Sequence, residues 1–355
     1  VIGGVMSDAM EALSDLAPQL NIDGTILADR VFEALQDNGY GEFDRAIPAL
    51  ADAFGPDGLA HLKTLAQAAE TTPLSEIDLA RYDFVDDPER QCEMARDARN
   101  RSAGMILQDV ADLEGDVDAY MARYSAEQLT FHTIAPDIAT RLLSAGRAED
   151  ALKIVTNARD GDRRSPFETP KLNQIHVACL DALGLGDEAR HLLWQEFCQT
   201  LSADSLRQHI RRLPDFEDIE AEDRARTHAM THPDLMTALG FFLGWPDLRS
   251  AASLIETRHA ELDGNAYYHL TPAANALEAD HPMAATLARR AMILETLKNN
   301  RSKRYGYAAT HLAECGVSDG QISDYQTHPT HSAFMEVLRK LHPRKTAFWS
   351  RVASN

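Results

Sequence analysis

The sequence predicts an all-α chain of stacked helical hairpins, and three observations carry that prediction. Apolar residues recur at helical spacing along most of the 355 positions. Sustained apolar/polar alternation between tight turns, the mark of strands, is scarce. A short motif, "LLSAGRAEDALKIV" at Leu142–Val155, returns 38 residues later as "ALGLGDEARHLL" at Ala182–Leu193.

Taken in chain order, the breaks and stripes follow one pattern. "DNGYGEF" (Asp37–Phe43) and "FGPDG" (Phe54–Gly58) put Gly where a helix ends and Asp or Pro where the next begins. Ala151, Ile154, Val155 and Ala158 fall at i, i+3, i+4 and i+7 of one helix. A long loop is expected over Arg159–Pro170. Leu172, Ile175, Cys179, Ala182 and Leu183 then share a face, as do Ala189, Leu192, Leu193 and Phe197. The acidic run "DFEDIEAEDRA" (Asp215–Ala225) reads as a helix start after Pro214, with carboxylates against the positive end of the helix dipole. Calcium loops need a Gly at the tight turn and a fixed ligand order, and this run has neither. Four His-Pro pairs, at His232, His281, His328 and His342, each precede a helix-like segment, where Pro suits the first turn. A last stripe runs through Leu287, Ala291, Leu294 and Leu297.

The repeated motif reads as a helical hairpin. One helix ends near the Gly, acids start the next, an Ala allows close approach, and two aliphatics fill the seam. Leu243–Ile255, "LGWPDLRSAASLI", is a looser third copy. Helix-pair repeats of this length imply a solenoid, whose units are stable only when stacked. At these residues the chain resembles the tetratricopeptide-like class, with a period nearer 38 than 34. The expected architecture is a right-handed superhelix of roughly twenty helices. The expected division is an N-terminal helical region over residues 1–135, hairpin repeats over 136–280 and a basic helical region over 281–355, joined as one continuous solenoid.

Charge is segregated. The chain carries −20 overall, yet residues 281–355 hold 11 Lys/Arg against 5 Asp/Glu. An acidic body opposes general nucleic-acid binding by long-range repulsion, and the basic end reopens that question locally. No apolar run is long enough to cross a bilayer, and the N-terminus lacks the basic start and apolar centre of a secretory signal. A cytoplasmic protein with no membrane partner is expected. Cys92, Cys179, Cys198 and Cys315 are too dispersed for a zinc site or a disulfide framework, and Cys179 reads as a core residue.

Further stretches carry a second resemblance: "LADRVFEALQDNGYGEFDRAIPAL", "SADSLRQHIRRLPDFED", "HPMAATLARRAMILETLKNNRSKRYGYAATHL" and "HPRKTAFW". They are similar to a bacterial family built on a domain of unknown function. Some of its relatives carry a SWIM-type zinc finger. The Cys-x-Cys and Cys-x-His pairs of that finger are missing here, so its nucleic-acid role does not transfer.

Gly184–Ala189 fits the G-x-G-x-x-A pattern of a dinucleotide cradle. That mechanism needs a strand before it, and helix-like surroundings favour a plain turn. His228/His232 and His328/His331 have ligand-like spacing, but Pro233 directly after the first pair puts His232 outside the helix that holds His228, the second pair has a similar weakness, and no third ligand can be assigned. No metal or cofactor site is therefore expected. Nucleophile-elbow, phosphate-loop and zinc-protease motifs are absent, which weighs against an enzyme without excluding one.

The most suggestive segment is "LKNNRSKRYGYAATH", Leu297–His311. Arg301, Lys303 and Arg304 stand beside Tyr305 and Tyr307, with His311 one to two turns on. Lys345 and Trp349 would join them if the last helices pack back. Guanidinium forks beside amphipathic rings suit carboxylates, phosphates or acidic peptides. The expected function is a non-catalytic protein-binding scaffold with an extended groove. The alternatives are a nucleic-acid-associated factor acting through the basic end and an enzyme with its site between helices.

Overall fold

The computed structural model describes residues 2–39, 41–160 and 169–354. Among these it contains twenty α-helices and no strand. The chain divides into two compact units, Val1–Gly184 and Leu185–Asn355. The first holds α1 (Ile2–Leu16), α2 (Gly24–Gln36), α3 (Ala46–Ala49), α4 (Ala51–Thr71), α5 (Glu76–Ala80), α6 (Pro88–Glu114), α7 (Val117–Met121), α8 (Ala135–Ser144), α9 (Ala148–Asp160) and α10 (Thr169–Ala182). The second holds α11 (Gly186–Thr200), α12 (Ala203–Ile210), α13 (Asp218–Met230), α14 (Leu235–Gly244), α15 (Leu248–Arg258), α16 (Tyr267–Leu277), α17 (Pro282–Lys298), α18 (Tyr305–Asp319), α19 (His331–Leu341) and α20 (Thr346–Val352). Of the long loop expected at Arg159–Pro170, residues 161–168 lie outside the described residues.

In the first unit α4 packs on α2 and α6, and α8, α9 and α10 pack on one another. In the second, α11 packs on α12, α14 on α15, α17 on both α16 and α18, and α18 on α20. Each unit buries two apolar clusters. Those of the first run from Met10 to Val110 and from Ala111 to Cys179. Those of the second run from Phe197 to Met292 and from Ile293 to Phe348.

The hairpin expected at Leu142–Val155 is formed. Gly146 takes a φ of 73°, where a side chain would strain the backbone, and its N–H donates to the Leu143 carbonyl at 3.0 Å. The Arg147 N–H reaches the Leu142 carbonyl at 2.8 Å, which completes a Schellman closure of α8. Ala151, Val155 and Ala158 are fully buried in the seam, and Ile154 only partly. In the second copy Gly184 repeats the conformation at φ 72°, and Ala189, Leu192, Leu193 and Phe197 of α11 are buried. The boundary between the units falls at this turn. In the third copy Asp247 caps α15, accepting from the Ser250 N–H, and Ala251, Leu254 and Ile255 of that helix are buried.

Several expectations need correction in detail. The break at Phe54–Gly58 is a kink within α4, where Gly55 takes φ 60° and Pro56 restarts the helix. Of the four His-Pro prolines only Pro282 lies in a first helical turn. Asp234 and Thr330 cap α14 and α19 with their side chains, so Pro233 and Pro329 stand just outside. Pro343 likewise precedes Lys345, the N-terminal flanking residue of α20. The acidic helix begins at Asp218 rather than directly after Pro214. The stripe assigned to α17 is too narrow: this helix is buried on most sides, including Ala284, Ala288, Met292 and Ile293, while Leu294 is exposed. α15, α16 and α18 all pack against it, so no single apolar face could describe it.

Candidate functional site

The basic segment forms the turn between α17 and α18. Asn300, at φ 55°, supplies the left-handed residue that ends α17, and the Arg301 N–H closes the turn on the Thr296 carbonyl at 3.1 Å. A 3-10 turn, Ser302–Arg304, then leads into α18. On its other side α17 carries α16, so the start of α16 and the start of α18 frame a cleft of about 510 Å³. Tyr267, Tyr268, Thr271 and Pro272 form one wall, Met292 and Thr296 the floor, and Arg304, Tyr307, Ala308 and His311 the other wall.

The eight residues singled out from sequence have different fates. Arg304, Tyr307 and His311 line this cleft, and Tyr307 is 73 % exposed. Arg304 donates to Asn265 Oδ1 at 3.1 Å and lies 4.4 Å above the Tyr267 ring. Arg301 also donates to Asn265 Oδ1 and pairs with Glu295 at 3.4 Å. Two guanidinium groups thus converge on one neutral amide oxygen, and Arg304 makes no ion pair among the described residues. Lys303 faces a separate cleft of about 520 Å³ with Gly306, Thr310, Ser350 and Arg351, and Tyr307 lines both clefts.

Tyr305 is buried, edge-on to Phe348. α20 does pack back on α18, which places the Lys345 ammonium 6.0 Å from the Tyr305 ring and within reach of Asn300 Oδ1. Trp349 is half-buried beside Phe348, and its indole N–H is spent on the His342 carbonyl at 2.9 Å.

His311 is held from behind. Its Nδ1 lies 2.9 Å from Glu314 Oε2, and Glu314 is braced at 2.8 Å by Arg289, a guanidinium 1 % exposed that also pairs with Glu278 at 3.2 Å. With Nδ1–H donating to Glu314, the neutral ring keeps its lone pair on Nε2. The arrangement can accept a hydrogen bond at that atom. The Tyr267 and Tyr268 rings lie 4.1 Å apart, tilted at 34°, and the Tyr267 hydroxyl is raised above the usual tyrosine value, first by its hydrogen bond to Tyr268.

Sequence reasoning missed Tyr267, Tyr268 and Asn265. The signal was "DGNAYY", a turn followed by two aromatic residues at a helix start. Nothing in that stretch says that it faces Arg304.

The other candidates resolve more simply. Residues 169–182, ahead of Gly184, are helix rather than strand, so the dinucleotide cradle is not built there. The His228 and His232 rings stand 6.4 Å apart, but His228 Nε2 is engaged with the Cys198 carbonyl at 2.9 Å and His232 Nδ1 with Asp234. His328 stacks edge-on against His259 at 4.5 Å, away from helical register with His331. Among the described residues no group of three or more His, Cys, Asp or Glu side chains is placed to hold a metal ion. Burial pushes the Cys179 thiol up to about 11 and the Cys315 thiol up to about 12, so both behave as core residues. No described helix is long and apolar enough to cross a membrane.

Residues 1–351 match the family model DUF6880, a family of unknown function. The chain belongs to this family. A search of curated proteins and a search of solved structures each found no match. Membership in DUF6880 names no reaction, so the site's own geometry must carry the functional argument.

Proposed function

We propose that this DUF6880 chain is a non-catalytic binding scaffold. Within each unit, consecutive helix pairs stack as tetratricopeptide-like repeats of a right-handed solenoid, and the cleft between α16 and α18 receives a segment of a protein partner. Packing between chain-neighbouring helices supports the first part. The carrying observation for the second is the cleft itself: it is lined by tyrosine, proline and methionine and by one guanidinium that lacks a carboxylate. Such walls take an apolar or aromatic side chain, and the guanidinium fork takes a carboxylate beside it. The preferred ligand is therefore an apolar residue flanked by acids.

The test is capture from bacterial lysate by tagged full-length chain and by an Arg304→Glu/Tyr307→Ala variant. Proteins retained by the wild type are expected to fall about tenfold with the variant. Identical retained sets would remove the cleft from the account.

One observation favours a second reading, a nucleic-acid-associated factor. Lys303, Arg344 and Arg351 make no ion pair among the described residues, which leaves cations free for phosphates. That reading expects retention of DNA or RNA in a gel shift at low salt, falling steeply as salt rises. No shift at low salt would dismiss it.

A further inference from the structure

The same unit that carries the cleft also carries a segment with the chemistry the cleft prefers. Phe216 is 91 % exposed, more than any other large apolar side chain described. It sits in the turn before α13, where the Glu217 N–H closes on the Pro214 carbonyl at 3.3 Å. Its φ of 73° is a left-handed conformation that a bulky residue adopts only when the surrounding chain holds it there. The base of the loop is braced by the Arg190 guanidinium, which donates to the Arg212 carbonyl at 3.0 Å. Ile219, one turn further, is 68 % exposed. Asp215, Glu217, Asp218 and Glu220 flank these two residues in sequence and make no ion pair among the described residues.

We propose that the Phe216 loop of one copy seats in the α16–α18 cleft of a second copy. Phe216 enters between Tyr267 and Tyr307, and the flanking carboxylates face Arg304 and Arg301. This rests on reading the cleft as a protein-binding site and names a second copy of the chain as its occupant. Charge complementarity argues for that occupant. Residues 185–355 hold 19 Lys/Arg and 22 Asp/Glu, close to balance, yet the cations gather at one end and the loop is the densest acidic run. Phe84, the other acid-flanked exposed phenylalanine, already rests on the Tyr82 ring at 6.1 Å, whereas Phe216 has no ring partner among the described residues. Loop and cleft are different surfaces, so the contact is heterologous: each joined pair keeps one free loop and one free cleft, and association continues head to tail.

Sedimentation velocity on purified full-length chain, from ~5 to ~500 μM at fixed salt, tests this. Wild type is expected to form dimers and longer species as concentration rises. A loop variant, Phe216→Ser/Glu217→Lys, and a cleft variant, Arg304→Glu/Tyr307→Ala, are each expected to weaken association about tenfold or more. Mixed in equal amounts, the two variants are expected to pair as dimers and stop there, because only one intact loop and one intact cleft meet. The loop positions are solvent-exposed, so that variant keeps the native helical circular dichroism and remains informative even if the cleft variant misfolds. Wild type that stays monomeric throughout, variants that associate as wild type does, or a mixture that grows past dimers would overturn the proposal. Lysate capture that depends on the cleft while the purified chain stays monomeric would sink self-recognition and leave the scaffold reading standing.

Discussion

Asp109, along α6, is a half-buried carboxyl with costs that can be measured. Burial pushes its pKa up to about 7, and the carboxylates of Asp112 and Asp44 add to that. Arg141 lies near enough to oppose the shift but is committed to Asp112 at 2.6 and 2.8 Å. Between about pH 4 and pH 7 the folded chain keeps a proton that the unfolded chain has released, so stability falls as pH rises through that window. Above pH 7 the full penalty applies, with an upper bound of about 4 kcal/mol. Asp109→Asn removes the charge and keeps the shape. Urea unfolding should find the variant more stable than wild type by about 1–3 kcal/mol at pH 8 and close to it at pH 4. An equal difference at both values would show that the effect is packing. His176 makes the variant comparison necessary. Burial, helped by Arg159, depresses its pKa to about 4, so its contribution is lost as pH falls from 6.5 and bends the wild-type curve the other way.

At the scale of elements, the position of α16 on α17 depends on Gly264. A Cβ there would stand 2.1 Å from the Ala291 carbonyl oxygen and 2.7 Å from Glu295 Cβ. The oxygen belongs to the backbone of α17 and cannot swing aside, so the two segments would have to separate. Gly264→Ala is expected to cost about 1–3 kcal/mol in urea unfolding and to weaken capture through the cleft. Unchanged stability would mean that the approach of these segments is looser than drawn. The same pair of helices marks how far sequence reading reached. The α8–α9 hairpin was legible because its parts are local: Gly at the closure, acids at the next start, Ala and Val in the seam. α17 was misread because a helix covered on several sides loses its one-faced period, and its Arg289 and Arg290 look like surface residues until their burial is seen. Half the cleft was legible as a basic, tyrosine-bearing turn. The other half depends on α16 lying across α17, a long-range contact that leaves no periodic trace.

The whole chain is made of two units with unequal charge. Each has its own pair of apolar clusters, and each falls within the ordinary size of a domain. Both fragments, residues 1–184 and 185–355, are therefore expected to fold alone, with helical circular dichroism and a cooperative thermal transition. Residues 1–184 hold 33 Asp/Glu against 16 Lys/Arg, a net −17, while residues 185–355 are at −3. Self-repulsion opposes compactness only where charge of one sign accumulates, and salt screens it over about 10 Å at 0.1 M. Raising NaCl from ~20 to ~200 mM should then raise the Tm of the first fragment and leave that of the second nearly level. A second fragment that gains as much as the first would place the salt effect in general hydration rather than in charge, and a broad, non-cooperative melt of either would show that its clusters do not suffice.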